Sequence, residues 1–299
     1  MKMRIMTILL FVGIIPTIVI SLLYYRVSQK NFQTDRDQLN MHKVQAIQSE
    51  VDALYSMHMA VLKLLARNSS VRTYDLKKIK PMLADMEKTH PMFIPIAVDR
   101  RGRQVAKTET YKMSEIGDRQ FYIDAMGGKE EVLSEVVVSR STGLLTVIMA
   151  TPIHDNDGKV TGVMQGSINL MQLTEFVTHL SSKELSAFIV DKDGKIIAHP
   201  NKDFVMNRKD VAATPYFKKG MTGTPGVEEI TQSSGGKSII YYSLDKKTGW
   251  LICLETSERT GGDRKIEVLW LTLLSFIIAL AAALAGYHLI KRIVNSDAQ

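Results

Sequence analysis

Uncharged positions gather in long runs at the two ends of the chain and alternate with polar ones between them. Ile5 to Tyr25 is a run of 21 residues without a formal charge, preceded by Lys2 and Arg4 and followed by Arg26. Val268 to Ile290 is a second run, 23 residues long, bracketed by Glu267 and Lys291. A helix needs about 20 apolar residues to cross the hydrocarbon core, so both runs predict membrane-spanning helices. Pro16 inside the first is tolerated in such a helix. The first run is too long for a signal-peptide core, and Leu22-Leu23-Tyr24-Tyr25-Arg26 offers no small-residue cleavage site, so it reads as a retained anchor. Short basic flanks, Lys2 and Arg4 at one end and Lys291 and Arg292 at the other, place both ends in the cytoplasm and residues 26–267 outside it. The predicted setting is a two-pass protein of the inner (plasma) membrane, with the lipid bilayer as a partner.

Between the runs the pattern changes twice. From Arg26 to Asn68 there is no glycine or proline, and Val44, Ile47, Val51, Leu54, His58, Val61 and Leu65 follow 3-4 spacing. That is the seam of a long helix. The seam can pack on the chain's own domains or on a second copy; a homodimer contact is expected of it, with His58 as a half-exposed spacer. From Pro91 onward the period becomes that of strands. Phe93 to Val98, a turn at Asp99-Arg100-Arg101-Gly102-Arg103 and Gln104 to Lys107 form one strand–turn–strand unit. Ala187 to Val190, Asp191-Lys192-Asp193-Gly194-Lys195 and Ile196 to Ala198 repeat it 92 residues on, and Phe121-Tyr122 returns as Tyr216-Phe217 at an offset of 95. More strands follow each aromatic pair, at Leu144–Ile153 and Val160–Leu170, then Ser238–Ser243 and Trp250–Leu254. Two copies of one α+β unit account for this, joined through Leu173–Ser186, a helix expected to be capped by Thr174.

Composition narrows the chemistry. Of 299 residues one is cysteine, which excludes an internal disulfide and a multi-cysteine metal site. The net charge of +7 sits largely at the membrane borders and needs no nucleic acid to explain it. Asp155-Asn156-Asp157-Gly158 and Asp191-Lys192-Asp193-Gly194 lack the later glutamate of a calcium loop and read as hairpin turns. Gly236-Lys237-Ser238 lacks the first glycine of a phosphate loop, where Thr231 stands. Gly261-Gly262-Asp263 reads as a juxtamembrane link, and Cys253 as buried and inert. No nucleophile, base or metal set is seen, so the chain is not read as an enzyme, and no cofactor or metal is expected.

One constellation carries recognition chemistry. In Gly117-Asp118-Arg119-Gln120-Phe121-Tyr122, a guanidinium with a planar fork of donors precedes two aromatic side chains that can wall a small pocket. The competing reading is a structural ion pair of Arg119 with Asp118, Asp124 or Glu135. Asp-Arg-x-aromatic-Tyr-x-x-Ala at 118–125, Ser-Glu…Ser-x-x-Thr-Gly at 134–143 and Ala150-Thr151-Pro152-Ile153 onward make residues 30–260 resemble the double Cache sensor domain of bacterial receptors. The resemblance implies an α+β fold: a long membrane-rooted helix carrying two tandem PAS-like antiparallel-sheet units, flanked by two transmembrane helices. It implies a ligand in the membrane-distal unit, at Arg119, Phe121, Tyr122, Val137, Ser139 and Ser167. Amino-acid-binding members hold the ligand ammonium with a tyrosine and an aspartate where this chain has Val137 and Ser139, and with an aspartate matching Ser167. The carboxylate half of the site is kept and the ammonium half is missing, which points to a small organic acid without an amine. The second unit, without a matching arginine, is expected to relay.

The expected organisation is therefore cytoplasmic N-terminus and first span at 1–25, long helix at 26–70, distal unit at 71–172, proximal unit at 173–262, second span at 268–290 and the start of a HAMP-like cytoplasmic linker at 291–299. The predicted function is ligand sensing and transmembrane signalling in a methyl-accepting chemotaxis protein whose cytoplasmic signalling domain is absent from this chain. The sensor half of a histidine kinase or diguanylate cyclase is the alternative, and a membrane-tethered enzyme a remote one.

Overall fold

A computed structural model describes residues 2–90, 92–107, 112–231, 235–257 and parts of 270–292. Gly261-Gly262-Asp263, most of the 291–299 linker and part of the second uncharged run lie outside the described residues. The chain divides into two compact units, 40–256 on the one hand and 1–39 with 257–299 on the other. Among the described residues no helix is long and apolar enough to cross a membrane.

The helix predicted from the heptad is α1, Lys2–Arg67, with Pro16 inside it. Asn68 ends it and caps the short α2, Ser69–Arg72, by accepting from the Ser70 amide. An amphipathic α3, Leu76–Thr89, then leads into the first sheet. Strands β1 (Ile94–Asp99), β2 (Gln104–Ala106), β3 (Val132–Leu133), β4 (Val137–Val138), β5 (Leu145–His154) and β6 (Val160–Asn169) form it. Its order is β2-β1-β6-β5-β3, with β4 also on β5. Helix α4, Gln120–Met126, lies between β2 and β3 in sequence. After α5, Leu170–His179, come β7 (Leu185–Val190), β8 (Ile196–Ala198), α6 (Lys202–Met206), α7 (Pro215–Gly220), β9 (Gly226–Thr231), β10 (Lys237–Asp245) and β11 (Trp250–Ser257). The second sheet runs β8-β7-β11-β10-β9. The pairs β1–β2, β1–β6, β5–β6, β3–β5 and β4–β5 of the first sheet and β7–β8, β7–β11 and β9–β10 of the second are antiparallel.

The repeat extends to the register. Val98 faces Gln104 and Val190 faces Ile196, and each sheet slips by one residue at the same place, between Ala97 and Val98 and between Ile189 and Val190. In both turns one carboxylate binds backbone: Asp99 Oδ1 accepts from the Arg101 and Arg103 amides, Asp191 Oδ1 from those of Asp193 and Lys195. Asp155 does the same for Asp157 and Lys159. These acids shape hairpins.

Three expectations are corrected here. The heptad stripe faces the chain's own core: Val44, Ile47, Val51, His58 and Leu65 are buried against the sheets, and Leu54 and Val61 pack beside them. The stripe is therefore occupied within one copy and supplies no seam to a second, and His58 is buried rather than half-exposed because its ring stacks on Phe93 at 4.4 Å. The connecting helix starts earlier than Leu173 and is capped by Asn169, whose side chain accepts from the Gln172 amide while the Gln172 side chain answers at the Asn169 amide. That reciprocal cap satisfies two amides at once, which a cap at Thr174 inside the helix could not.

Candidate functional site

The first sheet has two covered faces. One packs on α1 and α3; the other carries a separate core of Ile96, Val98, Ile116, Phe121, Tyr122, Ala125 and Ile148 beneath α4. The loop before α4 is fastened to the β1–β2 turn by the Ile116 amide bonding the Gly102 carbonyl at 2.7 Å. Gly102 has φ 79°, and a Cβ there would stand 2.3 Å from the Gly117 Cα, so this close approach of two backbones requires glycine. It sets Arg119 at the start of α4 in an extended conformation, with α4 beginning at the next residue.

A cavity of about 40 Å³ opens between α4, the sheet and the 137–142 segment. Arg119, Phe121, Val137, Ser139 and Ser167 all line it. Tyr122 does not: its hydroxyl donates to the Asp99 carbonyl at 3.0 Å, inside the core. Neighbours on a helix point about 100° apart, so Phe121 at the cavity sends Tyr122 elsewhere.

The ion pairs bear on the structural reading of Arg119. Asp118 is held by Arg140 through two bonds of 2.7 and 2.6 Å, which keep its carboxyl down at about 2. Glu135 pairs with Lys192 at 2.7 Å and Asp124 accepts from Gln120 at 2.6 Å. Each acid proposed as a structural partner is engaged elsewhere. Among the described residues Arg119 makes no ion pair; its Nη2 donates to the Val138 carbonyl at 3.2 Å, which leaves further donors of the fork.

Three features were missed by sequence reasoning. Lys107 is buried behind the wall, its ammonium donating to Gln104 Oε1 at 3.1 Å, to Ser141 Oγ at 3.0 Å and to the Lys112 carbonyl. All three acceptors are neutral, and burial pulls its pKa down to about 8. Gln165 is buried with its Oε1 unpartnered among the described residues, and it lines the same cavity. Arg140 clamps the rim by also donating to the Glu115 carbonyl at 2.5 Å. Lys107 ends a short β-pattern and carries no sequence signal of burial; Gln165 alternates in a strand as any core residue would. Among the described residues no aspartate or glutamate lines the cavity.

Residues 26–260 match the Cache domain family, and the chain belongs to it. It is 27% identical over 191 residues to sporulation kinase D of Bacillus subtilis (strain 168), over 62% of this chain and 36% of that protein. It is 30% identical over 116 residues to the methyl-accepting chemotaxis protein McpA of Pseudomonas putida, over 38% of this chain and 17% of that protein. The chain thus spans about a third or less of the curated relatives it matches. The ligand-binding domain of Campylobacter jejuni chemoreceptor Tlp3, solved with 4-methylisoleucine, superposes with TM-score 0.60 at 13% identity, over 74% of this chain and 90% of that one. The fold is that of a Cache sensor domain, similar to chemoreceptor ligand-binding domains.

Proposed function

We propose that this chain is the sensory and transmembrane half of a bacterial receptor, most closely a chemotaxis receptor, whose distal cavity binds a small organic acid lacking an amine. The observation that carries this reading is that, among the described residues, the Arg119 guanidinium has no ion-pair partner and no carboxylate lines its cavity. The buried Lys107 ammonium adds a second positive charge behind the wall. An ammonium group would find no anion among the described lining residues, and desolvating one without a partner is costly. A volume of about 40 Å³ suits an acid of a few carbons. The reading is one of sensing rather than catalysis.

The uncharged runs 5–25 and 268–290, with their basic flanks, support two spans, an inner-membrane location and an extracytoplasmic 26–267. A homodimer is supported by an exposed line on α1 to one side of the buried stripe: Ala46, Ala53, Met57, Ala60 and Leu64 also follow heptad spacing. The Glu135–Lys192 ion pair joins the distal unit to the β7–β8 turn, so a shift at one sheet has a path to the other. The signal is a population shift, with helix displacements of about 1–2 Å and a coupling of about 1–3 kcal/mol. Similarity to sporulation kinase D favours a second reading, the sensor half of a kinase.

The test is calorimetry of the full chain in nanodiscs with acetate, propionate, lactate and pyruvate. Removing one partner of a desolvated charge pair costs about 2–5 kcal/mol, so Arg119→Ala lowers affinity for the bound acid by about two orders of magnitude, and Arg119→Lys restores part of it. Ser139→Asp with Ser167→Asp weakens the acid further. An alanine variant that binds as tightly as wild type defeats the assignment.

A further inference from the structure

The second sheet carries a larger cavity, of about 370 Å³, at the corresponding place. Correspondence is set by the repeat. Ile96 and Phe188 are 92 residues apart, Ile116 and Val211 are 95 apart, and so are Phe121 and Tyr216; one of each pair lines each cavity. Ser167 pairs with Ile94, and Glu255 pairs with Ser186, 92 residues beyond Ile94. Glu255 thus occupies in the second sheet the position of Ser167 in the first, and both line their cavities. The position 95 residues beyond Arg119 is Thr214, so the guanidinium has no counterpart.

The two cavities differ in their charged lining. Among the described residues the distal one is lined by Arg119 and Arg140 and by no carboxylate; the second is lined by the half-buried Glu255 among aromatic rings, with Lys209 at its mouth. Phe188 and Tyr216 stand edge to face at 6.3 Å, and His199 packs on Phe188 at 5.4 Å and on Phe204 at 4.8 Å. His199 Nδ1 accepts from the Asn201 amide at 2.8 Å, which leaves Nε2 as the donor of a neutral ring. Exposed Lys209 sits 3.9 Å over the Phe204 ring at the mouth, where its charge opposes any cation bound within, so the ammonium must lie closer to Glu255 than to Lys209. A desolvated ammonium needs an anionic or π partner, and this cavity offers both.

We infer that the membrane-proximal unit contains a second ligand site, which takes a small monoamine with an apolar body and holds its ammonium at Glu255. A cavity of this volume has room for a ligand of about five to ten carbon atoms, and the Ile196, Val211 and Ile240 walls favour an apolar body. The second unit then binds as well as relays, and the receptor reads an acid and an amine in separate units.

The experiment is calorimetric titration of the full chain in nanodiscs with isopentylamine and phenethylamine, against isovalerate and phenylacetate as matched acids. At least one amine binds saturably, neither matched acid displaces it, and Glu255→Gln weakens it by about tenfold or more. Absence of saturable binding by both amines overturns the site, as does wild-type affinity in Glu255→Gln. Should Glu255→Gln fail to fold by its melting curve, Phe204→Ala at the half-buried mouth gives the same readout: reduced amine affinity is expected, and unchanged affinity overturns the proposal.

Discussion

Lys107 has the chemistry of a tuned cation. Its ammonium is buried, its partners among the described residues are neutral acceptors, and burial lowers its pKa from the usual 10.5 to about 8 by penalising the charge. Below that pH it is protonated and favours an anion in the neighbouring cavity; above it the charge is lost. Affinity for the small acid should therefore fall as pH rises from 7 to 9, and Lys107→Met should flatten that dependence in calorimetry. His58 works in the opposite sense. Burial, with His90 nearby, lowers its pKa from 6.5 to about 4, so the folded state holds it neutral while the unfolded state takes up a proton. Between about pH 6.5 and 4 the unfolded chain binds more protons, and stability falls as pH falls through that window. His199, lowered to about 4 by its own burial, adds to the slope. His58→Phe, which keeps the stack on Phe93, should remove one proton from it, worth on the order of 3 kcal/mol across the window, as read from denaturant unfolding at several pH values.

Helix α1 shows what periodicity can and cannot say. The spacing of Val44, Val51 and Leu65 identifies a helix with an apolar face, and the structure contains that helix. It does not say what covers the face. A seam on a second copy and a seam on the chain's own sheets demand the same residues, and burial of Val44, Leu62 and Leu65 in the sheet core answers the question. Gln48 and Asp52 also turn toward the chain itself, through Ser243 and Lys247. Cysteines placed at Ala53, Met57 or Ala60 should crosslink to their twins in membranes, whereas cysteines at Val51 should not. Equal crosslinking at both sets would remove α1 as the dimer element. Leu62→Ala, which empties a fully buried site on the same helix, should cost about 2–5 kcal/mol of stability.

At the scale of the whole chain the tandem repeat sits between two uncharged runs, each with basic residues on the side away from the repeat. Reporter fusions at Asp157 and at Gln299 should report opposite sides of the membrane, the first outside and the second inside. Both on one side would sink the receptor reading. The two units are built on one plan with differently charged cavity linings, Arg119 over one sheet and Glu255 on the other.

Much of this was legible in the amino-acid order because it is local. Strand alternation, Asp-Gly turns and the offsets of 92 and 95 residues are set by neighbours in sequence, and they gave the two sheets, their hairpins and Arg119 beside Phe121. The partners of each side chain are set by residues far apart in the chain. Only the folded chain pairs Asp118 with Arg140 and Glu135 with Lys192, freeing Arg119. Only folding buries Lys107, sends Tyr122 to the Asp99 carbonyl and brings Glu255 among Phe188, His199 and Tyr216. Periodicity names the face of an element; which surface meets that face, and which charge is left over, depends on long-range packing.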